Sequence, residues 1–300
     1  MSYHESVMFA ECIEGLNIKE DGIYVDLTFG GGGHSKGILE KLTSGHLYAF
    51  DQDEDAANNA KEIDNSSFTF IQSNFRYLKK YLKFYGIKKV DGVLADLGVS
   101  SHQFNKAERG FSTRFQGPLD MRMNQTGTLT AKEVINEYSE SELHRILGMY
   151  GEVRNAKTLA IELVRKRNEV PFETIEALKA VLAKYAKKGR ENRYYAQVFQ
   201  AFRIEVNEEL KVLEEALLQC IDITKKDGRI AFMSFHSLED RIVKNFINKG
   251  KFYGEQEKDL YGNIIRPFQA INRKPMIASE EEVKENNRAR SAKLRIAEKT

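Results

Sequence analysis

Cysteine is scarce in this chain of 300 residues: Cys12 and Cys220 are the only two, far apart and each in apolar surroundings. That count excludes a disulfide framework and a CxxC metal knuckle, and both read as buried thiols of a reduced compartment. The six histidines and two cysteines show no metal-ligand spacing, so no metal site is expected. No apolar run approaches the roughly 18 residues of a membrane span. The N-terminal MSYHESVMFAE carries acid where a signal peptide needs a basic and then an apolar stretch. A soluble cytoplasmic protein without membrane contact is the expectation. Excess charge of one sign is lacking too. Lys+Arg number 46 against 44 Asp+Glu, a net +2, so only the distribution of charge can speak about partners. There are no internal repeats. Apolar content, at 41%, is enough for a full core in one large or two modest domains.

The organising stretch is IYVDLTFGGGGHS, residues 23–35. Ile23, Tyr24 and Val25 read as a short buried strand closed by Asp26. Gly30 to Gly33 follow as a loop without Cβ atoms, and Ser35 to about Leu42 as a helix. This is the first strand–turn–helix step of a nucleotide-binding sheet, in which glycine lets the backbone take φ > 0 and meet a ligand closely. A second strand, His46 to Phe50, ends at Asp51, 18 residues past Gly33. An acid so placed accepts hydrogen bonds from a ribose diol, or else caps the next helix, Asp55 to Ile63. Strands at Phe68–Ile71, before Asn74 and Phe75, and at Gly92–Ala95, ending at Asp96, complete an alternating pattern. The pattern predicts a parallel doubly wound sheet with Asp26, Asp51, Phe75 and Asp96 at strand carboxyl ends, where such sheets bind ligands.

The alternation stops near residue 105. NKAERGFSTRFQGPLDMRMN (105–124) is too long for an ordinary connection and reads as functional or disordered. Helical patterns follow, with capping boxes at Thr130/Glu133 and Ser139/Glu142 and further helices over 153–166 and 174–185. Residues 196–219 read as one long helix and Gly228–Phe235 as a fifth strand. Ser237 with Asp240 marks a helix start, and Lys293–Ala297 a last strand; 250–285 are hard to place. In the first turn of the chain Ser6 is a candidate cap for a helix over Met8 to Gly15. The predicted organisation is therefore a discontinuous sheet domain, 1–104 with 196–300, around an inserted helical domain, 105–195. The insertion holds 17 Lys+Arg against 12 Asp+Glu, leaving 29 against 32 elsewhere. Arg165–Lys166–Arg167 and Lys184, Lys187, Lys188, Arg190 and Arg193, beside Tyr194 and Tyr195, suit either a polyanion with stackable bases or a plain solvated surface.

Two familiar ligand classes fit poorly. GxGxxG would require glycine at Ser35 or Lys36, which weakens NAD or FAD, and no Walker lysine follows, which weakens ATP. A nucleoside ligand without pyrophosphate remains. S-adenosylmethionine fits, with its ribose on Asp51, its amino-acid part along the glycine loop, its adenine near Phe75 and its sulfonium in the field of the strand-end carboxylates.

VDLTFGGGGHS, DGVLADLGVSSHQ, ERGF, GPLDMRM, YGEVRNAKTLA, FQAFRIEVNEEL, SFHSLEDRIVK and NRARSAKLRIAEK occur in this order between residues 25 and 298. In these motifs the chain resembles the RsmH/MraW family, bacterial small-subunit ribosomal RNA (cytosine N(4))-methyltransferases. The resemblance implies an α/β class I (Rossmann-like) S-adenosylmethionine methyltransferase sheet with an inserted helical domain. It also implies as substrate a cytidine in the decoding region of 16S rRNA of the small ribosomal subunit. Cofactor contacts would fall on Gly32, Gly33, His34, Asp51, Phe75, Asp96 and Gln103. The chain departs from the family pattern at Leu27, Gln116 and Asn124, so neither Gln116 nor Asn124 is assigned a catalytic charge.

A cytosine exocyclic amine is a weak nucleophile because its lone pair is delocalised into the ring. The enzyme must hold it in line with the methyl group and accept a hydrogen bond from it. DLGVSS (96–101) offers Asp96 as acceptor or sulfonium partner and Ser100 to position the base. Attack by ring carbon five would call for a thiol, which Cys12 and Cys220 are not placed to supply. The base must be unstacked, with Phe111 or Phe115 as candidate platforms. His236 and Glu239 suit either the site or a helix cap, and Arg203 and Asn207 a structural or RNA-facing role. Two other classes stay open: a non-catalytic RNA-binding assembly factor with a degenerate nucleotide fold and, more distantly, an NAD-linked dehydrogenase. Whether the chain acts alone or as a homodimer is also open.

Overall fold

A computed structural model describes residues 6–300. The chain divides into two compact units, Met1–Gly98 with Leu210–Thr300, and Val99–Glu209. The junctions thus fall at 98/99 and 209/210 instead of 104/105 and 195/196.

The first unit opens with α1 (Phe9–Leu16). Ser6 does not cap it: Met8 occupies the cap position in a left-handed conformation, φ 49°, and its N–H donates to Glu282 Oε1 at 2.7 Å. There follow β1 (Ile23–Asp26), α2 (Gly33–Leu39), β2 (His46–Asp51), α3 (Glu54–Ala60), β3 (Phe68–Gln72), α4 (Leu78–Phe84) and β4 (Val90–Asp96). Burial across β1, β2 and β4 is nearly continuous, as a parallel strand covered on both faces requires.

The second unit is helical. It comprises α5 (Ser101–Asn105), α6 (Ala131–Glu137), α7 (Glu140–Met149), α8 (Ala156–Glu169), α9 (Ile175–Leu182) and α10 (Glu191–Asn207). The capping boxes at Thr130/Glu133 and Ser139/Glu142 both form. One apolar core joins Leu143, Ile146, Leu147, Leu159, Leu163, Leu178, Phe199 and Phe202. Segment 105–124 is ordered by polar pins. The buried Arg109 donates to the carbonyls of Arg122 and Met123, at 3.0 and 3.1 Å. The Asn207 side-chain amide donates to Met121 O and accepts from Met123 N, both at 2.7 Å. Asn207 is therefore structural, as is Arg203, which pairs with Glu209 at 2.8 Å.

The helix expected over 196–219 is two helices. Glu208, at φ 49°, ends α10, and α11 (Glu209–Ile223) starts afresh. One run of helical spacing conceals the break because it serves two cores: Phe199 and Phe202 belong to the helical unit, Leu213 and Leu217 to the sheet unit.

The first unit resumes with α11 and β5 (Thr224–Ser234), then α12 (Ser237–Lys249), β6 (Phe268–Ala270), α13 (Glu280–Glu285) and β7 (Lys293–Lys299). The strand order is β3-β2-β1-β4-β5-β7-β6, with β1 to β5 parallel and β7 antiparallel to β5 and β6. This is the α/β class I sheet the motifs implied. β6 has too few residues to show an alternating pattern, yet its Phe268 is fully buried. The cap of α12 is His236, not Ser237. His236 and Glu239 form a capping box, while Asp240 instead pairs with Arg295 at 2.7 Å and Lys293 at 3.5 Å.

Candidate S-adenosylmethionine site and nucleic-acid surface

In the sheet unit the order of strands reverses at β1 and β4, which lie side by side. Chains leaving their carboxyl ends turn to opposite faces and open a crevice there. Asp26 ends β1 and Asp96 ends β4, and the Thr28 hydroxyl accepts the Asp96 N–H at 2.6 Å, tying the two strand ends together. The glycine turn lies directly after β1. Gly30 and Gly32 have φ of 52° and 79°, and a Cβ on Gly32 would stand 2.7 Å from the Phe29 ring. At Gly33 a Cβ would collide with Ser6 Oγ. Ser6 thus lies against the turn instead of capping α1.

Asp51 holds this turn from below. One carboxylate oxygen accepts the Gly30 N–H at 2.8 Å, and the other the Asp53 N–H at 2.9 Å. The Asn59 amide donates to Gly30 O at 3.0 Å, a turn-holding contact that no sequence motif announced. Both Asp51 oxygens keep a second lone pair. Burial, reinforced by Asp53 and Asp26, pushes the Asp51 carboxyl up to about 6, against the pull of its two backbone donors. Helix capping, the other role open to Asp51, belongs to Asp53, whose side chain accepts the Asp55 N–H.

His34 is buried at the start of α2. Its Nε2 lies 3.1 Å from Val7 O. A carbonyl only accepts, so the proton sits on Nε2 and the neutral ring leaves Nδ1 bare. Burial lowers the His34 pKa, with Asp26 partly opposing. Nδ1 stands 3.9 Å from Asp96 Oδ2, beyond hydrogen-bond reach. Each oxygen of Asp26 has a donor within the fold, Ser35 Oγ at 2.7 Å and Thr28 N at 3.0 Å. Asp96 differs. Its Oδ1 is buried and has no partner among the described residues, and burial together with Asp26 and Glu239 raises its pKa well above the carboxylate range. A buried acceptor left unsatisfied costs about 1–3 kcal/mol, so this atom is poised for a donor or cation from a ligand. Phe75 is half-buried in a 3-10 turn that the Asn74 side chain caps. One side of its ring packs on the sheet core.

The sequence-derived set thus falls in two places. Gly32, Gly33, His34, Asp51, Phe75 and Asp96 belong to the sheet unit; Ser100 and Gln103 belong to the helical unit. There Ser100 Oγ accepts the Gln103 N–H at 3.1 Å and Gln103 Oε1 accepts the Ser100 N–H at 2.9 Å, the capping box of α5. The Ser100 hydroxyl proton stays available to a base.

Basic residues of the helical unit are used unevenly. Arg165 pairs with Glu162 and Glu169, Lys166 with Glu169, and Arg167 donates to the carbonyls of Ile135 and Tyr138. Arg165–Lys166–Arg167 is therefore an internal device and not a free polyanion patch. Tyr195 is buried in the core and Tyr194 bonds Asn155 through its hydroxyl, so neither is an exposed stacking surface. Phe111 is buried too. Phe115 is half-exposed, with the Arg114 guanidinium 5.5 Å from its ring centre. Lys187, Lys188, Arg190 and Arg193 are exposed and form no ion pair among the described residues. No described helix is long and apolar enough to cross a membrane.

The family model described as the MraW methylase family matches residues 1–300. A Cytophaga hutchinsonii protein named ribosomal RNA small subunit methyltransferase H is 57% identical over 297 residues, 99% of either chain. A Christiangramia forsetii protein of the same name is 57% identical over 300 residues, 100% of this chain and 98% of its own. One from Flavobacterium johnsoniae is 55% identical over 300 residues, with the same coverage.

Proposed function

The chain belongs to the MraW methylase family, and from that premise we propose that it methylates the exocyclic N(4) amine of a cytidine in the decoding region of 16S rRNA, with S-adenosylmethionine as donor. The methyl donor supplies an electrophilic carbon on a sulfonium. The residues present suit such a ligand: a glycine turn with open backbone, an Asp51 carboxylate with spare lone pairs for a ribose diol, and Phe75 for an adenine. His34 and Gln103 would complete the contacts.

One observation carries the chemistry, the buried Asp96 Oδ1 at the end of β4, which has no partner among the described residues. Accepting a hydrogen bond from the cytosine amine localises its lone pair on nitrogen and fixes the direction of attack. The same atom can instead balance the sulfonium charge, and with Asp26 near by the field favours a cation. Ser100, its hydroxyl proton free, orients the base. Lys187, Lys188, Arg190 and Arg193 bind phosphate, and Phe115 serves as the stacking platform. The acceptor is the small subunit or its RNA, in the cytoplasm.

Single-turnover methyl transfer by Asp96→Asn tests the assignment. A rate about 10²-fold lower with cofactor affinity preserved, the usual scale for a lost acid–base group, supports it. A loss confined to cofactor affinity limits Asp96 to the cofactor, and a product methylated elsewhere than on the exocyclic nitrogen overturns the reading. Binding of NAD and not S-adenosylmethionine in calorimetry would overturn the cofactor.

A further inference from the structure

Residues 75–89, FRYLKKYLKFYGIKK, contain six basic residues, no acidic one and five aromatics. They run from the 3-10 turn at Phe75 through α4 to the residue before β4. Helical spacing divides them cleanly. Leu78 and Leu82 are buried in the sheet core, with Tyr81 packed against it. The other face carries Tyr77, Lys80 and Phe84 in line at i, i+3 and i+7, with Lys83 beside them. Phe84 is 80% exposed, Tyr77 49% and Tyr85 41%. Lys80 Nζ sits 5.9 Å from the Tyr77 ring centre.

The charges of this face sort themselves as those of the helical unit do. Arg76 pairs with Glu215, Lys79 with Asp222, and Lys89 donates to the carbonyl of Asp222. Lys80, Lys83 and Lys88 form no ion pair among the described residues. The rings are held in place. Phe84 packs edge-on to Tyr85 at 5.2 Å, Tyr85 tilts on Tyr48 at 5.4 Å, and Tyr48 lies 4.7 Å from His46. A fixed, exposed ring between unneutralised lysines suits a strand with phosphates and stackable bases.

We propose that this face of α4 and the turn after it, Tyr77, Lys80, Lys83, Phe84 and Lys88, is a second RNA-binding surface, on the sheet unit itself. The inference rests on the reading of the protein as an RNA methyltransferase. Charge alone would equally suit an anionic lipid surface, which also demands aliphatic side chains able to insert. Here the aliphatics, Leu78, Leu82 and the half-buried Ile87, face the core, and only aromatic rings stand outward. The surface begins two residues after Phe75 and follows the length of the sheet. It therefore grips RNA flanking the target base and favours large RNA over a short oligonucleotide.

The chain contains no tryptophan, so Phe84→Trp introduces a single indole reporter. Titration of the full chain with small ribosomal subunits, or with 16S rRNA, should quench it by stacking. Lys80→Ala/Lys83→Ala/Lys88→Ala should lower the slope of log affinity against log salt by about 0.7–0.9 per lysine. It should raise KM for RNA while leaving kcat and S-adenosylmethionine affinity unchanged. Unaltered indole emission in Phe84→Trp and an unaltered salt slope in the triple-lysine variant, while the wild-type protein binds and methylates RNA, overturn this surface alone. A blue shift with phosphatidylglycerol vesicles and no response to RNA makes it a lipid contact and overturns the inference. If the wild-type protein fails to bind RNA at all, the proposed function falls first.

Discussion

The two units handle charge in opposite ways. In the sheet unit Asp26, Asp51 and Asp96 crowd the strand ends, their pKa values raised first by burial and, for Asp51 and Asp96, also by Asp26, and one oxygen of Asp96 has no partner among the described residues. In the helical unit most charges are matched within the fold: Arg165 with two glutamates, Arg145 with Glu205, Arg122 with Asp120, Lys132 with Glu173. Net charge is thus a poor guide to function. The helical unit has the basic surplus, but much of it is paired within the fold, and a run of exposed cations without an ion pair among the described residues, Lys187, Lys188, Arg190 and Arg193, lies around α10's start. The sheet unit has no large negative surplus, yet gathers three carboxylates at the ends of its strands.

The sharpest way to break this comparison is through the helical core. Leu147 is fully buried there, so Leu147→Ala should cost about 2–5 kcal/mol. Denaturant titration should record that loss while S-adenosylmethionine affinity, measured well below the midpoint, stays intact. A parallel loss of cofactor affinity would show that the units are not energetically separate.

Asp51→Ala comes next. Unpaired ribose hydroxyls cost about 1–3 kcal/mol, and the Gly30 N–H loses its acceptor. Cofactor affinity in calorimetry should fall by that range, and an unchanged value in a folded protein would remove Asp51 from the site. Its pH behaviour gives a second handle. The folded carboxyl titrates near 6, above the ~3.9 of a free aspartate, so the folded form holds the proton more tightly. This residue's contribution to stability is therefore greatest below pH ~4 and declines as pH rises toward 6. Affinity for a ribose diol runs the other way, strengthening as the carboxylate ionises through pH 6. Calorimetry between pH 5 and 7.5 should show that rise, and Asp51→Ala should abolish it.

The smaller effects concern phosphate contacts. Neutralising Lys187, Lys188, Arg190 and Arg193 should flatten the salt dependence of RNA binding by about 0.7–0.9 per residue, with cofactor binding intact. Arg165→Ala should leave the denaturation midpoint and the salt slope unchanged, because its charge is satisfied by Glu162 and Glu169 at the surface, where ion pairs contribute little. Equal salt slopes for the two variants would mean that pairing within the fold does not decide which cations meet RNA.

Much of the sheet was legible in the sequence. The glycine turn after Asp26, the spacing to Asp51 and the alternation up to Asp96 all carry a local physical signature. What the sequence concealed was non-local. Helical spacing through α10 and α11 looked continuous because each side of Glu208 feeds a different core. Tyr194 and Tyr195 looked exposed beside their cations, but Tyr195 lies in the helical core. At the site, Asp51 was legible as an acid at the right distance. Its grip on Gly30 and the help of Asn59 depend on folding and had no motif. The capping box of His236 with Glu239, one of two readings of SFHSLED, forms in the structure.

The place where the chain leaves the sheet has a consequence for how the protein is made. β4 pairs with β1 on one side and, on the other, with β5, which begins only at Thr224. At roughly 5–20 residues per second, the apolar edge of β4 emerges on the order of ten seconds before its partner. An unpaired edge of that kind is prone to wrong pairing. The helical unit draws its core from one continuous stretch, Val99–Glu209, and is complete before the strand that closes the sheet exists. A nascent chain halted just short of Thr224 should therefore yield a protease-resistant helical fragment joined to a labile four-stranded half-sheet.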